Sequence, residues 1–270
     1  MADEILLDHI AVASERAIDQ FWRYYAELGG RFIGGGTDPG FHFWQLQYPS
    51  GMRIEILEDD PDHPEDFLRR FLDRNGPGPH HLTFKVPDLD QALTGVERHG
   101  YQPVGVEVSN PDWQQAFIHP KQAPGIVVQL ACAPGGEDLE GADSFLPLPR
   151  TRTPADLERV VLLVADLERE VELFGEVLGG DAAEPAADAL GTFVDVTWPN
   201  GNKVRLADPT DHQARQWLGG RSGRLHHVAF TVADPTMVPG AEPVGEGEYE
   251  LRPEHNLGVR LRLSVRTPGT

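Results

Sequence analysis

His80-His81-Leu82-Thr83-Phe84-Lys85-Val86 decides how the rest of this chain is read. Leu82, Phe84 and Val86 alternate with Thr83 and Lys85, the period of a half-buried strand. The phrase returns. Asp8-His9-Ile10-Ala11-Val12 stands near the N-terminus and His226-His227-Val228-Ala229-Phe230-Thr231-Val232 near the C-terminus. Arg159-Val160-Val161-Leu162-Leu163 is a worn fourth copy. A phrase recurring at intervals of about seventy residues marks a repeated supersecondary unit.

Working outward, each copy opens a similar series. Ile5 to Ala13 reads as a strand. A helix follows from Ser14, with Ala17, Phe21, Tyr24, Tyr25 and Leu28 on one side and Gly29-Gly30 as its stop. Arg31 to Ile33 is a short strand, Gly34 to Gly40 a loop, and Phe41 to Tyr48 and Met52 to Glu58 two more strands. The order is β-α-β-β-β. An acidic connector follows, with a helix over Pro64 to Asn75. The series then restarts: strand His80 to Val86, helix Leu89 to His99, and strands Pro103 to Val108, Trp113 to His119 and Gly125 to Cys132.

Pro134 to Pro154 is rich in Pro, Gly and acid, without period, and reads as a linker. The expected organisation is a first two-module domain over 1–134, a linker over 135–154 and a second two-module domain over 155–270. In the second, Leu157 to Val164, a helix Leu167 to Leu178, Thr192 to Trp198, Asn202 to Ala207 and a helix Asp211 to Leu218 retell the first module. The fourth module keeps His226 to Val232, Glu248 to Arg252 and Gly258 to Val265. It lacks the helix, because Pro235 to Pro243 holds three prolines.

Composition narrows the function. At 270 residues the chain has room for two ordinary domains. A net charge of -20 opposes nucleic-acid binding, which needs a basic face. The one cysteine, Cys132, excludes an internal disulfide and a cysteine-rich metal site. No run approaches the roughly 18 apolar residues of a membrane span. The expectation is a cytoplasmic protein with a small-molecule partner, no nucleic acid, no membrane and a possible homodimer.

A β-α-β-β-β unit paired with itself, opened by "DHIAV" and "HHLTF", resembles the vicinal oxygen chelate superfamily. That superfamily includes glyoxalase I, methylmalonyl-CoA epimerase, extradiol dioxygenases and the fosfomycin and bleomycin resistance proteins. The pieces "ILED…FL", "GPHHLTFKV", "HPK" and "GIVVQL" make the first domain most similar to the epimerase and glyoxalase branch. The resemblance implies an α+β fold of four βαβββ modules paired into two cup-shaped domains, the fourth module shortened.

It also implies metal ligands on the first and last strands of each module. Here these positions are His9 and Glu55, then His81 and Gln129. The two internal spacings differ by only about two residues, as a duplicated unit requires. Glu55 lies between Ile54 and Ile56, and Gln129 between Val128 and Leu130, so each faces away from its apolar neighbours. Two imidazoles, a carboxylate and an amide oxygen suit one divalent ion (Zn, Ni, Co, Mn or Fe(II)) and leave open positions. Relative to the epimerases the carboxylate and the amide have changed places. Glu55 is thereby the one ligand able to act as a base. His80 points away from His81 and reads as structural.

Aligning Tyr48-Pro49 with Trp198-Pro199 puts Gln45 opposite Asp195. Phe43, Gln45 and Gln47 then line the first cup, with Trp113, Gln115 and Phe117 from the second module. In the second domain the ligand positions are Val160, Arg205, His227 and Arg262, which cannot bind a cation. They either receive an anion or lie on a solvated or domain-contacting surface. The expected function is a metal-dependent isomerase or lyase of glyoxalase or epimerase type. It would act through a metal-stabilised enolate on a small oxygen-rich carbonyl substrate. The alternatives are an Fe(II)-dependent extradiol-type dioxygenase and a metal-free binding or resistance protein.

Overall fold

A computed structural model describes residues 4–38, 40–62, 67–134 and 154–266. The first module runs β1 (Leu6–Ser14), α1 (Ala17–Trp22), β2 (Arg31–Asp38), β3 (Phe41–Gln47) and β4 (Arg53–Asp59). After α2 (Phe67–Asn75) the second runs β5 (Gly78–Lys85), α3 (Leu89–Arg98), β6 (Pro103–Glu107), β7 (Gln114–Ile118) and β8 (Val127–Cys132). These strands form one sheet in the order β2-β3-β4-β1-β5-β8-β7-β6. The opening strands of the two modules are neighbours at its centre, as a paired duplication demands.

The third module is β9 (Asp156–Val164), α4 (Leu167–Val171), the short β10 (Asp181–Ala182) and β11 (Ala186–Ala187), β12 (Gly191–Thr197) and β13 (Lys203–Pro209). After α5 (His212–Leu218), the fourth is β14 (Gly223–Val232), β15 (Glu242–Gly245), β16 (Glu248–Leu251) and β17 (Leu261–Val265). Their order is β10-β12-β13-β9-β14-β17-β16-β15, with β11 also on β12. The fold is α+β, four modules in two mixed sheets. The fourth module carries a 3-10 turn, Pro235–Met237, where the others have a helix. Among the described residues no helix is long and apolar enough to cross a membrane. The expected linker, 135–154, lies outside the described residues except for Pro154, as does the start of the connector helix.

Three local expectations need correction. The stretch read as a loop from Gly34 continues β2 to Asp38. Glycine there signals cover by aromatics and not a break. Gly35 and Gly36 stand opposite Trp44 and Phe43, and a Cβ on Gly36 would lie 2.9 Å from the Phe43 ring. The proline-rich stretch of the fourth module still forms β15, because an edge strand tolerates Pro243. The first helix of modules one and three is not uniform. It widens into π turns, Arg23–Glu27 and Glu172–Val177, before Gly29 and Gly179 end each at φ near +70°.

Contacts gather the described residues into two compact units, each taking modules from both halves of the sequence. One holds those of Met1–His9, His81–Glu137 and Arg159–His226. The other holds those of Ile10–His80, Asp138–Glu158 and His227–Thr270. Each is locked by the phenylalanine of the repeated phrase. In the first unit Phe84 meets Trp198 at 5.2 Å and Phe174 at 6.0 Å, and the Trp198 indole donates to the Leu178 carbonyl at 2.8 Å. In the second, Phe230 meets Tyr48 at 5.0 Å, and the Tyr48 hydroxyl donates to the Tyr24 carbonyl at 3.0 Å. Tyr48 and Trp198 are the equivalent residues ahead of the Pro turns, so duplication reproduced the lock as well as the strands.

Glu170 is an exception in the first unit's interior. It is 2 % exposed, and its Oε2 has no hydrogen-bond partner among the described residues. Burial raises its carboxyl from the usual 4.5 to about 7, opposed by the charge of Arg169 and reinforced by Asp166. The folded state therefore binds the proton more tightly than the unfolded chain. Its stability falls as pH rises from about 4.5 to about 7 and levels off above. Glu170→Gln keeps the shape and removes that charge. In EDTA its advantage over the parent should grow across this window to about 1–3 kcal/mol at pH 8, the usual cost of an unsatisfied buried polar group. Denaturant melts at pH 5 and pH 8 measure it. An equal difference at both pH values would show that the carboxylate is solvated.

Candidate metal centre

The centre rests on strand alternation. In β1 His9, Ala11 and Ala13 share a face, and in β5 His81, Thr83 and Lys85 do. β4 presents Arg53, Glu55 and Leu57, and β8 presents Val127, Gln129 and Ala131. His9, Glu55 and His81 are all buried, and one ligand atom from each lies within 4.8 Å of the others. The His9 and His81 rings meet edge to face at 5.7 Å. Two imidazole nitrogens and one carboxylate oxygen at this separation match the donor set of a divalent transition ion or zinc.

Hydrogen bonds set the orientation of these side chains. The Asp8 carboxylate lies 2.7 Å from His9 Nδ1, which directs Nε2 inward. Nε2 is 2.8 Å from the Thr83 hydroxyl. Thr83 donates to Gln129 Oε1 at 2.6 Å, and Gln129 Nε2 donates to Gln115 Oε1 at 2.7 Å. The Trp113 indole donates to that same oxygen at 3.1 Å. An indole N–H can only donate, so it fixes the sense of the whole chain. Gln115 must present oxygen, Gln129 nitrogen on that side and oxygen toward Thr83. The single Thr83 proton goes to Gln129, and the same hydroxyl oxygen faces His9 Nε2.

Gln129, expected as the fourth ligand, thus lies next to the three and is joined to His9 through Thr83. Glu55 has its own support: Gln45, directly opposite on β3, donates to its Oε1 at 3.0 Å. Of the expected lining residues, Phe43, Gln45 and Gln47 share the Glu55 face. Phe43 also packs on the cluster of Leu57, Leu68 and Leu72, so it serves the core as well. Gln115 and Phe117 share the Gln129 face, and Trp113 carries the Lys85 ammonium 3.7 Å from its ring centroid. His80 packs edge-on to Phe71 at 4.8 Å and against Phe67 at 5.4 Å. Burial pushes its imidazole down to about 4, against the pull of the Glu55 charge, which suits a structural neutral ring.

Three residues escaped the sequence reading. Asp8 and Thr83 orient His9, and Thr83 shares the His81 face two residues on, the one signal that could have found it. Asp38, at the end of β2, is the third. Burial and then the Glu55 charge raise its carboxyl above the usual range. Replacing Asp8 by Asn should weaken metal uptake about 10–100-fold, the usual effect of losing a ligand's supporting carboxylate. Isothermal titration checks this, and unchanged affinity would remove Asp8 from the site.

The second sheet keeps the positions and inverts the chemistry. Arg205 stands where Glu55 does, and its cross-strand partner Asp195 where Gln45 does. Arg205 makes two 2.7 Å bonds to Asp195 and one of 2.9 Å to Asp188, and stacks on Phe193. Arg262 pairs with Glu250, also directly opposite, at 2.9 Å. Neither guanidinium is held open for an anion, the first of the readings the residue types allow. Each is matched by a carboxylate across the strand pair.

Residues 8–117 match the family model of the Glyoxalase/Bleomycin resistance protein/Dioxygenase superfamily. The matched stretch runs from β1 to β7 and so falls within the paired modules of the first sheet. The fold extends over the whole chain in a mutant of 4-hydroxymandelate synthase from Streptomyces coelicolor. It is 13% identical, with 99% of this chain and 95% of that one covered and a TM-score of 0.64. Methylmalonyl-CoA epimerase from Mycobacterium tuberculosis is 25% identical over 49% of this chain and 92% of its own, TM-score 0.43. The Streptomyces coelicolor epimerase is 20% identical over 47% and 96%, TM-score 0.42. No curated protein matches the chain in sequence.

Proposed function

We propose that the chain is a divalent-metal-dependent isomerase or lyase of glyoxalase or epimerase type, acting on a small carbonyl compound rich in oxygen. The observation that supports this reading is the convergence of buried His9, Glu55 and His81. The three would hold the ion, with Gln129 adjoining, and the ion would supply Lewis acidity to a substrate carbonyl. The rest falls to the protein's own groups. Glu55, oriented by Gln45, takes the proton α to the carbonyl. Phe43 and Phe117 exclude water from one side of the substrate, while Gln47, Gln115 and the Lys85 ammonium offer contacts to its oxygens.

The same two-histidine, one-carboxylate set also suits Fe(II) and dioxygen chemistry. Metal analysis of the protein purified without added metal separates the readings. A redox-inert ion supports the isomerase or lyase, and oxygen-sensitive iron supports the dioxygenase. A protein that takes up no divalent ion at this site sinks both.

A further inference from the structure

We propose a second divalent-cation site on the surface of the first compact unit, formed by His99, Glu172 and Glu176. One ligand atom from each lies within 4.8 Å of the others. His99 caps the C-terminus of α3, and its Nδ1 lies 3.0 Å from the Gly95 carbonyl. A carbonyl only accepts, so Nδ1 carries the proton and Nε2 keeps its lone pair for a cation. Glu172 and Glu176 are four apart in the π turn of the third module and rise on one face of it.

Among the described residues neither glutamate is in a salt bridge, and the chain carries -20 overall. Burial first, and then the charges of Glu170 and Glu172 against that of Arg169, raise the Tyr101 hydroxyl, two residues beyond His99. The glutamate pair is particular to this module. With Leu28-Gly29-Gly30 aligned on Leu178-Gly179-Gly180, the first module has Trp22 and Ala26 in their place. One imidazole and two carboxylates suit zinc or a similar ion with open water positions, and disfavour calcium and magnesium, which take oxygen alone. Bound there, the ion would tie α3 to the helical turn of the third module and stabilise the unit.

Zinc titration followed by calorimetry, on the full chain stripped with EDTA, tests this. The parent should bind two ions, His99→Ala one and His81→Ala one, and the double variant none. Glu176→Gln should weaken the second site at least about tenfold, since loss of a ligand exceeds the usual effect of losing a supporting group. His99 and Glu176 are exposed, so both variants should fold as the parent does. One ion in the parent, lost in His81→Ala and kept in His99→Ala, would overturn this second site alone. One ion in the parent, lost in His99→Ala and kept in His81→Ala, would uphold it and overturn the buried centre instead. No zinc in the parent overturns both.

Discussion

Replacing Glu55 by Gln is expected to lower turnover at least about a hundredfold, the contribution usually lost with a general base. The change is nearly isosteric. The cross-strand contact with Gln45 can persist through rotation of either amide, so the fold should be kept. What goes is the one negative charge among His9, Glu55 and His81. Metal affinity should fall too, because two neutral imidazoles then face a divalent ion without a carboxylate. Exchange of solvent deuterium into a bound substrate analogue reads the proton step directly. Exchange that persists in Glu55→Gln with metal retained would move the base outside the ligand set, and Asp38→Asn would then be the variant to stop it. Gln129→Glu should hold metal at least as tightly, provided the new carboxylate releases Thr83 and turns inward.

The candidate ligands that converge are readable because duplication writes the same message twice. His9 and His81 stand at one position of a repeated phrase, and Glu55 faces away from the isoleucines beside it. Repetition carries no information about contacts that only one module makes. Thr83 looks like any polar strand residue until His9 and Gln129 are seen within 2.8 Å of its hydroxyl. Asp38 sits beyond three glycines whose strand depends on the aromatics opposite, so reading a loop there concealed it. The pairing of Arg205 with Asp195 was closer to hand. The alignment of Gln45 with Asp195 already set an acid across from the arginine, but charge against charge was judged by residue type alone. Likewise, the repeated Phe84 and Phe230 were legible as strand residues. Their partners Trp198 and Tyr48 were not, since those contacts cross between modules distant in sequence.

His81→Ala should abolish tight metal binding, and His227→Ala should leave it intact. The two histidines occupy the same place in the repeated phrase, so the comparison isolates environment from sequence. His81 has the His9 ring at 5.7 Å and Glu55 within ligand reach. In the second sheet the other ligand positions hold Val160, Arg205 and Arg262, and both guanidiniums are already paired, with Asp195 and Glu250. A cation would meet two positive charges there and no spare carboxylate. Affinity in His81→Ala should fall by more than about a hundredfold, beyond what loss of a supporting residue causes. Metal content after dialysis against a weak chelator, which strips an exposed ion and spares a buried one, gives the answer. Refolding artefacts are controlled by His9→Ala, which removes a different ligand of the same ion and should behave alike. If His227→Ala loses the tight ion while His81→Ala keeps it, the centre belongs to the second sheet, and the carboxylates paired with Arg205 and Arg262 must open to receive it.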